Sequence, residues 1–424
     1  MDPSRRNRNA TAPSRRGRPR QCAVVSLWLA VAVPAAGVVS AQQWPQWRGP
    51  ARDGVAQSRP PAPWPAALTR KWEVAAGSGH ASPVVADGRV FVHARTGEQE
   101  TITALDLATG QRIWHDAYAA PYKVNPAAAA HGPGPKATPA VADGRLYTFG
   151  ISGILSCLDA ASGKVHWRKQ PSPEQPDFGV ATSPIVVDGM VVVFVGGPQR
   201  GALAAFDALS GAARWQWSGG APAYASPVLA TLAGTRQLVT QSRNQVVGVG
   251  LDGTLLWQVP LTTPYDQNSV TPVIAGDLVI YSGLSNPTTA LRVVRAGSTY
   301  KTEEVWKNTD VSMYMSTAVI AGDALVGLGQ KNRGQFFAID WKTGRTLWTT
   351  RGREADNAAL IRVPGYTLIQ TTDGELIVAR DSLTAFEVVK RYDVAESSTW
   401  AHPALAGNQL IVRDATSVAL WSIG

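Results

Sequence analysis

The side chains able to do chemistry in this 424-residue chain lie mostly in short runs rich in Pro, Gly and Ala, spaced at intervals along the sequence. The longest run, 115–137, carries Tyr118, Tyr122, Lys123, Asn125 and His131. Others hold His80, Asp177 with Phe178, Tyr224, the stretch Tyr265-Asp266-Gln267-Asn268, Met313-Tyr314-Met315, Asp356 with Asn357, and Trp400. Aromatic faces, amides and a few charges suit recognition of a peptide, a sugar or a small molecule. The set assigned to ligand binding is His80, Tyr122, Lys123, His131, Tyr224, Asp266, Asn268, Tyr314, Asn357 and Trp400. Asp266 and Asn268 offer oxygens, but a hard cation needs several converging oxygens, so no metal site is assigned. Lys331 and Arg333, in the run 329–334, read as charges on a solvated turn. No catalytic residue is assigned either. The chain has no Gly-x-Ser-x-Gly elbow, His-Glu-x-x-His pair or phosphate loop, and its six histidines are scattered.

These runs are spaced by a repeat. A Ser/Thr-Pro pair opens a β-rich stretch, an Asp-Gly or Gly-Asp turn follows, and a second β-rich stretch comes next. A third ends in Leu-Asp or a close variant, and after a Thr/Ser-Gly turn a fourth carries tryptophan. The first copy shows Ser82-Pro83, Asp87-Gly88, Leu105-Asp106, Thr109-Gly110 and Trp114; the second runs from Thr138-Pro139 to Trp167 and the third from Ser183-Pro184 to Trp215. Later copies end at Trp257, Trp306 and Trp348, the seventh has Tyr392 where tryptophan is due, and the eighth stops at Leu420-Trp421, one strand short. A period of about 45 residues with four alternating runs per unit is the signature of propeller blades. The predicted fold is all-β: an eight-bladed β-propeller of four-stranded antiparallel blades. Lys71-Trp72-Glu73-Val74, ahead of the first repeat, resembles an outer strand without a blade, and the expectation is that it completes the eighth sheet and removes an open edge.

The 15 tryptophans then have a structural reason. Trp72, Trp114, Trp167, Trp215, Trp257, Trp306 and Trp348 are predicted to dock between neighbouring blades, where truncating a buried indole costs about 3–5 kcal/mol. The recurrent Asp106, Asp159, Asp207, Asp252 and Asp340 are expected to fold their carboxylates onto the turns that follow them. In such a ring, the connections from each outer strand to the next inner strand gather on one face. The candidate binding residues therefore converge on one mouth of the central channel.

The organisation predicted is a signal peptide over 1–41, a lead segment over 42–67 and the propeller over 68–424. Residues 1–41 hold seven arginines and one acid, Asp2, before an apolar stretch from Cys22 to about Val39 and small residues at Val39-Ser40-Ala41. An uncleaved anchor is the alternative, weakened by Pro34 and Gly37. Either reading puts the body outside the cytoplasm, in the periplasm or beyond. Taking that segment's net +6 from the chain's +9 leaves +3, which gives no electrostatic case for nucleic acid. Cleavage leaves Cys157 alone, so no internal disulfide is expected.

The repeat core Leu-Asp-x-x-Thr-Gly-x-x-x-Trp resembles that of the PQQ-like, or quinoprotein tryptophan-docking, propeller family over residues 68–424. The lead Trp44-Pro45-Gln46-Trp47-Arg48-Gly49-Pro50, with Arg52-Asp53-Gly54, looks like that of exported bacterial members. One branch of the family binds PQQ and Ca²⁺ in the central channel, typically with adjacent cysteines; this sequence has no Cys-Cys pair. The other, BamB-like branch is non-catalytic and displays loops to envelope proteins, although the lipid-anchor cysteine of that factor is lacking here. The resemblance thus implies a monomeric binding or interaction scaffold without PQQ, meeting an envelope protein, peptide or small molecule at the channel mouth. A PQQ-dependent or related oxidoreductase stays open, as does a hydrolase or lyase acting on carbohydrate or peptide with acids drawn from several blades.

Overall fold

The computed structural model describes residues 43–424; the predicted signal peptide lies outside the described residues. Eight four-stranded antiparallel sheets follow one another around a ring, as the repeat predicts. The first seven blades span residues 84–119, 140–169, 185–217, 228–260, 273–308, 319–349 and 358–393. The eighth joins three C-terminal strands to Thr69–Ala75, whose residues pair antiparallel with Ser417–Ser422. The first and last parts of the propeller thus share one sheet, and Ser417–Ser422 is not left as its edge strand. Within the early blades the first hairpin turns on Asp87-Gly88, Asp143-Gly144 or Asp188-Gly189, with both residues at positive φ. That is the mirror-image two-residue turn whose twist matches antiparallel strands.

The Leu-Asp signature does two jobs at once. In blade 1 Asp106 Oδ1 accepts from the Thr109 amide at 2.9 Å and its hydroxyl at 2.8 Å; Asp159 and Asp207 do the same for Ser162 and Ser210. These bonds lower the pKa of Asp106 and Asp159 and hold the carboxylates in the turn. In most of these turns the residue after the aspartate leaves a backbone carbonyl facing the preceding blade, and the indole of that blade donates to it. Trp72 Nε1 reaches Leu107 O at 2.9 Å, Trp114 reaches Ala160 O at 3.1 Å, Trp167 reaches Ala208 O at 3.2 Å and Trp306 reaches Trp341 O at 2.9 Å. Trp348 makes the same bond to Ser382 O, and Trp215 reaches Leu251 O, one residue before its turn aspartate Asp252. The turn glycine lies under the ring. At Gly163, φ is +74° and a Cβ would sit 2.6 Å from Trp114.

Trp257 departs from this pattern. It is buried, yet its Nε1 donates to Gln237 of its own blade. Blade 5 replaces the tight Asp turn with a long hairpin, Asn286–Ala296 and Thr299–Asn308, so the next blade presents no Asp-turn seat. The indole packs instead among Val293, Leu291 and Tyr300. In blade 7, Tyr392 stands in for the missing tryptophan and donates to Pro65 O at 2.8 Å, while Trp64 packs edge-on against Tyr366. The lead segment therefore substitutes for a docking contact.

The lead does more than that. Gln43 approaches Asp87, in the first-hairpin turn of blade 1, on the face opposite the mouth. Trp44 then pairs with Val85 of the inner strand of blade 1, in both directions, at 2.8 and 2.9 Å. Pro45 O accepts from Val141 N of blade 2. Arg48 donates to Thr317 O and Ala318 O of blade 6 at 2.8 and 2.7 Å, and Arg52 to Pro184 O and Ser183 O of blade 3 at 2.8 and 3.1 Å. Trp47 reaches Thr271 of blade 5 and lies 4.4 Å from the His402 ring of blade 8. The chain then descends alongside the inner strand of blade 7, with Ala56 N on Arg362 O at 2.8 Å. Residues 44–56 thus form a loop inserted along the axis and touching the inner strands, or the residues that lead into them, of seven blades. Both arginines are buried, and burial pulls their pKa values down, to about 10 for Arg48 and about 9 for Arg52. Backbone carbonyls rather than carboxylates hold them. The two residues just ahead of an inner strand expose such carbonyls to the axis, and a guanidinium can satisfy two at a time.

Candidate functional site

The apex of the inserted loop is the floor of a cleft of about 400 Å³ on the mouth face. Trp47 forms that floor. Around it stand His80, His131 and Trp400 on one side and Phe178, Tyr224 and Tyr314 on the other. Each wall comes from a connection between consecutive blades, which is why residues far apart in sequence meet. The segment 115–137 supplies the first wall through a short 3₁₀ turn, Pro126–His131, which Asn125 caps by accepting from Ala127 N at 3.0 Å. Asn125 also donates to Asp177 O at 3.1 Å and ties this segment to the next connection. His80 and His131 rings meet edge to face at 5.6 Å, and His131 meets Trp400 likewise at 4.6 Å. Burial pushes the His80 pKa down to about 4 and lowers that of His131 as well, so both rings are neutral at pH 7. Lys136 lines the same wall, donates to Phe178 O at 2.8 Å, and burial brings its pKa down to about 8.

Of the residues assigned from sequence, His80, His131, Tyr224, Tyr314 and Trp400 come together here. Asn357 lies in an adjoining groove shared by Tyr314, Trp400 and Arg333. Arg333 and Lys331 belong to the turn that the sequence placed on this face. Tyr122 is half-buried behind the cleft, its hydroxyl close to Gly179. Lys123 is exposed and lines no part of the cleft. Asp266 sits at the rim in an ion pair with Arg243 at 2.8 Å, and Arg243 also approaches Asp177 at 3.6 Å. Asn268 is fully buried below the surface: its side-chain amide N–H groups donate to Ser242 O and Leu261 O, and its backbone carbonyl accepts from the Tyr224 and Ala225 amides. It shapes the Tyr224 connection instead of facing a ligand. Sequence reasoning passed over Trp47 and Lys136 as binding residues. The lead motif was visible, but nothing local places its second tryptophan on the axis. Lys136 sits two residues before Thr138-Pro139, which opens the next blade, and reads as an ordinary connection charge.

The backbone at Tyr265 is unusual. Tyr265 and Asp266 both have positive φ, 61° and 55°, a conformation that costs a non-glycine residue about 1 kcal/mol or more. The Asp266–Arg243 pair fixes this turn, and it holds the Tyr265 ring 81% exposed beside the cleft.

The chemistry available is recognition by rings and a few donors. Among the described residues no three His, Cys, Asp or Glu side chains converge, and the rim carboxylates Asp266 and Asp177 both face Arg243. The axial volume below Trp47 is filled by the lead.

Comparison with known proteins agrees with this architecture. The family described as outer membrane protein assembly factor BamB matches residues 69–132 and 98–350, more than half of the chain. The chain belongs to that family. The factor of that name from Shewanella oneidensis is 24% identical over 349 residues, covering 81% of this chain and 75% of the relative. A quinohemoprotein alcohol dehydrogenase from Comamonas testosteroni is 31% identical over 144 residues, but the match covers 32% of this chain and 19% of that relative. Among solved structures, BamB from Moraxella catarrhalis superposes with a TM-score of 0.62 at 16% identity, covering 84% of this chain and 99% of its own. The Comamonas dehydrogenase gives 0.67 at 15% identity, covering 90% and 81%. At these identities the two superpositions speak to the fold alone.

Proposed function

We propose that this BamB-family propeller is an exported binding scaffold of the bacterial cell envelope that works without PQQ chemistry and captures its partner or ligand at the aromatic cleft. The carrying observation is the axial loop. By bonding Arg48 and Arg52 to inner-strand carbonyls it turns the centre of the ring into packed protein and leaves a ring-lined cleft above Trp47. The Arg-rich and apolar run of residues 1–41 supports export, and the relatives named for outer-membrane assembly support an envelope setting. Titrating the purified protein with PQQ and Ca²⁺ while following quinone absorbance and thermal unfolding tests the cofactor part. No change in either at saturation is expected; a stoichiometric spectral shift with a raised Tm means the protein is a quinoprotein. A photo-crosslinking side chain at Met315, 37% exposed on the cleft rim, tests the binding part in intact cells. A discrete crosslinked product in the envelope fraction is expected, and no product beyond that of a distant surface site, or a cytoplasmic location, overturns the reading.

A further inference from the structure

Three features of the cleft limit what can sit in it. First, its walls present ring faces at several angles: Trp47 as the floor, Trp400 and His131 on one side, Tyr224, Phe178 and Tyr314 on the other. Second, the main-chain N–H groups around the mouth are already bonded inside the protein. His80 N and Ala81 N donate to Pro135 O, Tyr224 N and Ala225 N to Asn268 O, Asp266 N to Thr263 O, and Phe178 N to the Tyr224 hydroxyl. No strand edge lines the cleft, so an extended peptide has no ladder to join. Third, the side-chain groups left over are mostly donors. The Tyr314 hydroxyl donates to Gln267 Oε1, which leaves the Gln267 amide N–H groups free; Tyr224 accepts from Phe178 N and keeps its own proton to give. The one charged side chain of the lining is the Lys136 ammonium, which uses one N–H on Phe178 O and has two more.

Rings for stacking, neutral donors at the edges and a single cation with no lining carboxylate are complementary to a pyranose that carries a carboxylate. The ring C–H face lies on an indole, the hydroxyl oxygens accept from Gln267 and Tyr224, and the carboxylate pairs with Lys136. We infer that the cleft is a binding site for acidic glycans of the uronic-acid type. This rests on the reading of the cleft as a non-catalytic binding site, and no bond is made or broken. A half-buried ammonium with no counter-ion is less well solvated than a free one, and an entering carboxylate supplies the missing charge. Arg413 lies behind the neutral His80 ring, so it is the second positive charge near this region beside Lys136.

The test uses the purified protein and calorimetry, with intrinsic tryptophan fluorescence as a second readout. Oligomers of galacturonate, glucuronate and mannuronate are compared with their methyl esters, with neutral cello-oligosaccharide and with an acidic decapeptide. Binding of at least one acidic oligomer is expected, at least tenfold tighter than its methyl ester, and at least tenfold weaker for Lys136→Met and for Trp400→Ala. Lys123→Met, whose side chain is exposed outside the cleft, is expected to bind as the parent does. If Trp400→Ala does not fold, Lys136→Met and Tyr314→Phe, each checked by an unchanged melting profile, carry the comparison. Failure of every acidic oligomer, equal binding of acid and ester, or binding of the acidic peptide alone overturns the inference. An envelope crosslink at Met315 without sugar binding leaves the binding-scaffold reading standing and removes the glycan; loss of both removes both.

Discussion

At the scale of single residues, the most informative groups are ionisable side chains buried without an opposite charge. His402 packs against Trp47 in the axis, and burial, with Arg48 adding repulsion, pushes its pKa down to about 3. His80 is shifted in the same direction, to about 4. An ordinary histidine titrates near 6.5, so between about pH 6.5 and 3 the unfolded chain binds protons that the folded one refuses. Stability is therefore full above pH 6.5 and is lost as the pH falls through that window. Thermal unfolding measured from pH 7.5 to 4 is expected to show Tm falling with acidification, and the slope is expected to be shallower in His402→Gln, which removes one of the two groups. An identical slope in the variant means His402 takes its proton without unfolding. Neither histidine was recognisable as a buried neutral ring in the sequence, where His402-Pro403 looks like any other blade entry. Burial arises from the lead residue Trp47, more than three hundred positions away.

At the scale of the element, the unit is a turn and the indole that seats on it. The aspartate shapes the turn, the next residue offers its carbonyl, the glycine clears room for the ring, and the tryptophan comes from the neighbouring blade. Trp114→Ala is expected to cost about 3–5 kcal/mol. Gly163→Ala is expected to cost at least about 1–3 kcal/mol, because φ is positive there and the added methyl overlaps the same ring. Replacing Tyr122 or His131 by alanine is expected to leave the unfolding midpoint within a degree or two of the parent. Denaturant titration decides the matter: equal losses at all four positions would contradict the division between blade contacts and cleft. This level was the most legible in the sequence, since Leu-Asp, Thr-Gly and Trp recur at fixed spacing and each has one physical job. Where the spacing breaks, legibility ends. Trp257 matches the repeat on its own strand, but its seat is set by a long hairpin in blade 5 that the Trp257 segment does not encode. Asn268 failed for a related reason: an amide in a polar run looks like a ligand group until the surrounding carbonyls are placed.

At the scale of the whole molecule, two N-terminal pieces close the ring in different ways. Thr69–Ala75 completes the last sheet, and Arg413 reaches from blade 8 to Ala81 O of the first at 3.0 Å. Residues 44–56 occupy the axis and bond to the inner strands. The strand was predictable because the eighth repeat is one strand short. The axial loop was not, since a Trp-Pro-Gln-Trp-Arg-Gly-Pro run has no period of its own and its partners are backbone carbonyls that exist only once the blades are assembled. Deleting residues 43–56 while keeping the closing strand is expected to lower stability by about 5 kcal/mol or more, from the loss of buried Trp44 together with the bonds of two buried arginines. A deletion that unfolds like the parent in urea would show the loop to be dispensable.

The measurement that bears most directly on this account is native-state hydrogen exchange at the amides of Trp44 and Ala56, which donate to Val85 O and Arg362 O inside the ring. Exchange as slow as that of Val90 and Leu368, in the second strands of the same two blades, is predicted, because the lead amides open only when the axis does. Complete exchange at the two lead amides while those second strands stay protected would contradict the filled axis, and with it the floor of the cleft.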